Sequence, residues 1–223
     1  NGVATTAINF TGAVVGTTFS WTNTNTTIGL GATGTGNIGS FTATNIGTNP
    51  VIATITVTPV AGACTGNPTN FSITVDPSPA VTNAVLTQEI CSGSTASFIP
   101  TSNVVGATFN WTSIASSGAV TGNTAAGTGN ISDVLTNTGS TSQTVTYTIT
   151  PIAGSAGCPG VPVNFVVTVD PPPTVTNATL TQTICSGGTA TLIPSSGVIN
   201  TTFTWTATGS SVNVTGYTPA GSG

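Results

Sequence analysis

The 223-residue chain contains no lysine, arginine, histidine or methionine, and only four charged side chains: Asp76, Glu89, Asp133 and Asp170. Each absence removes a class of function. Phosphate recognition rests on lysine and arginine, so no nucleic-acid partner is expected. An anionic membrane surface has no electrostatic handle to hold, and no direct membrane insertion is expected. No salt bridge and no lysine isopeptide cross-link can form. Trypsin has no cleavage site, which suits an exposed extracellular protein. Almost nothing titrates between about pH 6 and pH 9, so little response to pH or to salt is expected.

Catalysis lacks its usual parts. General acid–base work needs histidine, lysine or a tuned carboxylate pair. A serine nucleophile would have no base. The scattered carboxylates show no paired spacing for glycoside hydrolysis. The reading is a non-enzyme, with no catalytic residue, no cofactor and no metal site. No signal peptide or transmembrane run is present.

What the chain does contain is threonine, valine, isoleucine and asparagine, with 28 glycines and 14 prolines. Disordered chains combine polarity with high net charge and few β-branched residues. This one is rich in strand formers instead. Val145, Tyr147 and Ile149 alternate with Thr144, Thr146, Thr148 and Thr150. Val163, Phe165, Val167 and Val169 alternate with Asn164, Val166 and Thr168, and Phe109 and Trp111 with Thr108, Asn110 and Thr112. That period of two is the pattern of half-buried antiparallel strands. Turns rich in Gly, Asn and Ser separate the runs.

The chain also repeats itself. Residues 75–112 and 169–206 are identical at 25 of 38 positions, at an offset of 94. "AVTNAVLTQEICSG" (80–93) returns as "TVTNATLTQTICSG" (174–187). The first segment matches more loosely: "GTTFSWT" (16–22) with "GATFNWT" (106–112), and "GTGNI" at 34–38 and 127–131. Boundaries fall at "DPSP" and "DPPP", where proline stiffens a link and stops strand pairing from running on. The expected organisation is a repeat over 1–76 lacking its first strand, a complete repeat over 77–170 and a truncated repeat over 171–223. The sequence thus reads as a window on a longer chain. About seven strands in about 94 residues indicates an all-β chain of tandem immunoglobulin-like β-sandwiches.

As a set, "ICSG", "TF.WT", "GTGNI", "LTNTG", "TVTYTITP" and "VTV.P" resemble the PKD-like, immunoglobulin-like repeats of giant Bacteroidota surface proteins. The resemblance covers essentially the whole chain. Such repeats are similar to those of large adhesins exported by the type IX secretion system, including mobile gliding-motility adhesins. It implies an extracellular, cell-surface, filament-like protein whose repeats form the shaft. It transfers no catalytic residues. The expected partners are neighbouring repeats, further copies joined into filaments through strand edges without charged gatekeepers, and surface polysaccharide. A glycan- or ice-binding module, and spacer repeats of a large secreted enzyme, are the alternatives.

Three sets of residues invite a site. Cys64, Cys91, Cys158 and Cys185 are disulfide candidates. The order Cys91, Trp111, Cys158 resembles an immunoglobulin domain, and Cys91–Cys158 is the expected pair. The open alternative joins one domain's first turn to the last hairpin of the next. Trp21, Trp111 and Trp205 share one repeat position and are expected in the core, although exposed tryptophans can stack on sugars. Asp76 and Asp170 mark the junctions. Calcium needs six to eight oxygens, and Glu89 becomes Thr183 in the next copy, so a solvated turn before proline is expected there.

Overall fold

The structure, a computed structural model, describes residues 2–154 and 156–223, and among them it is nearly all β. The first segment holds β1 (Thr18–Asn23), a short 3-10 turn (Thr26–Ile28), β2 (Thr33–Thr35), β3 (Val51–Ala61), β4 (Cys64–Thr65) and β5 (Thr69–Val75). They form one antiparallel sheet in the order β2-β1-β3, with β4 and β5 both on the far side of β3. Across from it, single bridges Ala4–Thr42 and Ile8–Ile38 hold a second, irregular layer. Trp21, Ile28, Ile38, Ala53, Ile55 and Val75 are buried between the layers.

The middle segment is more regular. Its strands are β6 (Thr87–Cys91), β7 (Thr95–Phe98), β8 (Thr108–Ala115), β9 (Val120–Thr121), β10 (Ala126–Thr128), β11 (Ile131–Val134), β12 (Thr136–Asn137), β13 (Gln143–Ala153), β14 (Cys158–Pro159) and β15 (Val163–Asp170). Seven of them exceed two residues, the number that the alternation predicts. One sheet runs β10-β8-β13-β15-β6, and β7 with β11 forms the facing layer. The β6–β15 pair is parallel and the other pairs are antiparallel.

The predicted inward faces are inward. Val145, Tyr147 and Ile149 of β13 are fully buried, as are Val167 and Val169 of β15. Phe98 reaches across from the second layer and stacks on Phe165 with ring centroids 4.4 Å apart. Trp111 meets Tyr147 edge-on at 5.7 Å. Aromatic pairs in such geometries add about 0.5–1.5 kcal/mol each beyond the area they bury.

The "GTG" motif has a packing role. Gly34 of β2 pairs with Trp21 of β1, and Gly127 of β10 pairs with Trp111 of β8. In both places a Cβ on the glycine would overlap the six-membered ring of the indole. The ring therefore lies flat over the backbone of the neighbouring strand, where only glycine leaves room.

After residue 171 regular structure thins to β16 (Thr204–Thr206) and β17 (Ala220–Ser222), paired with each other, and one bridge, Val175–Ser196. Trp205 again lies over a glycine, Gly221. Yet it is 44% exposed, against 8% for Trp21 and 6% for Trp111. This departs from the expected core position: among the described residues, no strand in the role of β13 lies against it.

Candidate functional site

Two of the polar groups that the fold buries, Asp76 and Asn137, lie at opposite ends of the middle segment. The leading end is the β13–β14 hairpin, where the chain arrives from β5. The trailing end is where β15 leaves.

At the leading end Asp76 is 6% exposed, not a solvated turn. Its carboxylate accepts from the Ala156 N–H at 3.3 Å. It occupies a notch that exists because residue 154 is glycine, since a Cβ on Gly154 would overlap it. Gly160 leaves similar room for the Pro79 carbonyl. The proline link is thus packed against the hairpin. Its counterpart Asp170, at the trailing end, is half-buried and accepts from the Ser142 hydroxyl at 2.5 Å. Glu89 is exposed on β6. Among the described residues, no three acidic, cysteine or histidine side chains gather where a metal ion would need them.

At the trailing end Asn137, 1% exposed, is the fastening. Its side-chain amide donates to the carbonyls of Thr141 and Val169 at 2.9 and 2.8 Å. Its side-chain oxygen accepts from the Gly139 N–H at 2.9 Å. Its backbone N–H donates to the Ser92 hydroxyl, one residue beyond β6. One residue thereby ties a turn to the last strand and to the first. Asn45 likewise ties its turn to the last strand of the first segment, donating to the Asn49 and Val75 carbonyls at 2.8 and 2.7 Å and accepting from the Gly47 N–H. Sequence reasoning missed both asparagines. The signal was the shared "TN.G" of "TNIG" (44–47) and "TNTG" (136–139), an Asx-type turn in front of a long strand.

A third buried group lies inside the middle segment. Asp133 accepts from the Tyr147 hydroxyl at 2.7 Å and from the Thr124 N–H and hydroxyl at 2.9 and 2.8 Å. Burial pushes the Tyr147 phenol far above its ordinary value, and the Asp133 carboxylate adds to this by hydrogen bond and by charge. Three donors answer one carboxylate. The indole N–H groups of Trp21 and Trp111 are buried with no hydrogen-bond partner.

The four cysteines are unpaired in the structure. The expected Cys91–Cys158 bridge is corrected by the strand register. Cys91 lies beside Asp170 at the trailing end, and Cys158 lies beside Ala153 in the leading hairpin. The eight residues of β15 separate those ends, a distance of about 25 Å. A disulfide needs Cα atoms within about 7 Å. The parallel placement of β6, which sequence periodicity cannot reveal, decides this.

Two outcomes follow. The neutral Tyr147 phenol contributes stability in full below about pH 10, where tyrosine in the unfolded chain ionises, and that contribution is lost as pH rises further. Denaturant titrations at about pH 9 and pH 11 should show a fall in unfolding free energy that is smaller in Tyr147→Phe; equal falls would contradict the assignment. Peptide mapping of the oxidised monomer without reductant should recover no Cys91–Cys158 link, and its recovery would refute the β6–β15 register.

Compared with known proteins, residues 88–173 match the family described as PKD-like domain. No curated protein matches the chain. The matched stretch begins in β6 and ends in the link after β15. The two facing β layers of that stretch are consistent with a PKD-like β-sandwich, and PKD-like domains typically occur in extracellular proteins.

Proposed function

We propose that the chain is a length of shaft from an extracellular cell-surface filament or adhesin, built of successive PKD-like repeats over 1–76, 77–170 and 171–223. The observation that carries the reading is the packed junction. β5 ends at Val75, and the next residue, Asp76, is seated in the Gly154 notch of the following segment. A buried, proline-braced link transmits force and orientation from one β-sandwich to the next, as a flexible linker would not. A PKD-like domain fits a structural or adhesive extracellular module. No described helix is long and apolar enough to cross a membrane.

The cysteines enter this reading as staples between repeats. Cys91 stands at a trailing end and Cys158 at a leading end, so the sulfurs of consecutive repeats, not of one repeat, come to a common junction. The uncharged, hydroxyl-rich strand faces suit lateral packing without charge conflict. Within this proposal, export by type IX secretion and a role in gliding motility are the finer reading that the sequence resemblance favours. It is tested by fluorescence imaging of live producing cells with an antibody against residues 77–170. Label travelling along the cell surface is the expected result for a motility adhesin, and static label on fibres for an attachment filament. Label confined to the medium would overturn the surface shaft.

A further inference from the structure

The central strands of the first two segments are nearly interchangeable. "ATITVTPVA" (53–61, in β3) and "VTYTITPIA" (145–153, in β13) agree at five of nine positions. They also share a register. Val57 stands opposite Trp21 as Ile149 stands opposite Trp111, and Ile55 opposite Phe71 as Tyr147 opposite Phe165. Of the four differences, Ala53 to Val145, Val57 to Ile149 and Val60 to Ile152 change only the size of an aliphatic side chain. Ile55 to Tyr147 alone brings in a polar group, and both residues are fully buried. In chains of similar neighbouring domains, exchange of matching elements is a characteristic route to misassembly.

The partners of the Tyr147 hydroxyl change with it. The match of "GTGNI" at 34–38 and 127–131 sets Ser40 where the middle segment has Asp133, and Gly31 where it has Thr124. The backbone agrees with that alignment: the Asn23 N–H donates to the Ala32 carbonyl as the Ser113 N–H does to the Ala125 carbonyl. In the middle segment Tyr147 and Thr124 both donate to Asp133, which is 8% exposed. In the first segment Gly31 has no side chain to donate, and Ser40 is exposed and donates to the Thr5 carbonyl instead. Ile55 needs no partner. All three members of the network are therefore exchanged together between the segments.

We propose that Asp133, Tyr147 and Thr124 form a pairing key that admits β13, and not β3, to the seat between β8 and β15. With β3 in that seat, Ile55 would leave the Asp133 carboxylate without its buried hydroxyl donor. With β13 in the seat between β1 and β5, the Tyr147 hydroxyl would enter the apolar core of Trp21, Ile28, Leu30, Ile38 and Val75. Either exchange leaves a buried polar group unanswered, which costs more than the native bond gains. A buried polar pair thereby decides which strand pairs where, although the outward threonines and the aliphatic positions do not. The key lies wholly within residues 31–165 and is independent of surface location, so its failure would leave the imaging test of the shaft untouched.

Disulfide trapping in the full chain tests it. Thr58→Cys and Asn110→Cys place thiols on strands of different sheets, since Thr58 pairs with Ser20 and Asn110 with Thr150. A link between positions 58 and 110 therefore reports β3 in the seat of β13. In this background Ile55→Tyr gives β3 the missing hydroxyl, while Ile55→Phe adds the same ring without it and disturbs the first segment equally. The chains are refolded from denaturant at low concentration, oxidised and mapped by peptide analysis. Ile55→Tyr should yield on the order of ten times more of the 58–110 link than Ile55→Phe. Equal yields from the two chains, or no link in either, would overturn the inference.

Discussion

A chain without lysine, arginine or histidine can answer its buried carboxylates and turn carbonyls only with neutral donors, and this constraint shapes the whole structure. Asp133 is met by a tyrosine hydroxyl, a threonine hydroxyl and a backbone N–H. Asp76 is met by a backbone N–H in a notch opened by glycine. Asn137 and Asn45 close the ends of their sheets with amide hydrogen bonds to strand carbonyls. Such bonds contribute roughly 0.5–1.5 kcal/mol each, but leaving a buried partner unanswered costs about 1–3 kcal/mol. The asymmetry explains why short polar residues at turns, and not ion pairs, fix where each sandwich ends.

The same constraint joins structure to role. With no side-chain cation to steer an anionic partner, the chain offers shape, strand edges and sequence repetition. In the shaft proposed above, the load path runs from β5 through the buried link at Asp76 into the leading hairpin, and out along β15. Strand β13 contacts both flanking strands over most of its length, which makes it the mechanical centre of the middle segment.

The all-β class and the inward faces were legible in the sequence because a period of two over Val145–Ile149 or Val163–Val169 admits one arrangement. The tryptophan position was legible too, but its depth was not. Trp21 and Trp111 are covered by their own segments, whereas Trp205 has only its hairpin, so the same residue ends in different surroundings. The disulfide expectation failed for a reason of topology. Periodicity says which side chains face inward and is silent on which strands pair; the register puts Cys91, at the end of the first strand, and Cys158, in the last hairpin, at opposite ends of β15. The depth of Asn137 is not legible in its motif, because a polar residue beside glycine reads as a turn whether or not its side chain is buried. The buried Asp76 was missed likewise: its partner, Ala156, is 80 residues away.

The central claim is that neutral side-chain amides close these sandwiches. It is tested most directly by the unfolding free energy and amide hydrogen exchange of Asn137→Ala. The account predicts a loss of about 2–3 kcal/mol, with exchange accelerated first at Gly139 and along the trailing end of β15. Unchanged stability, or uniform acceleration with no focus on that end, would contradict it.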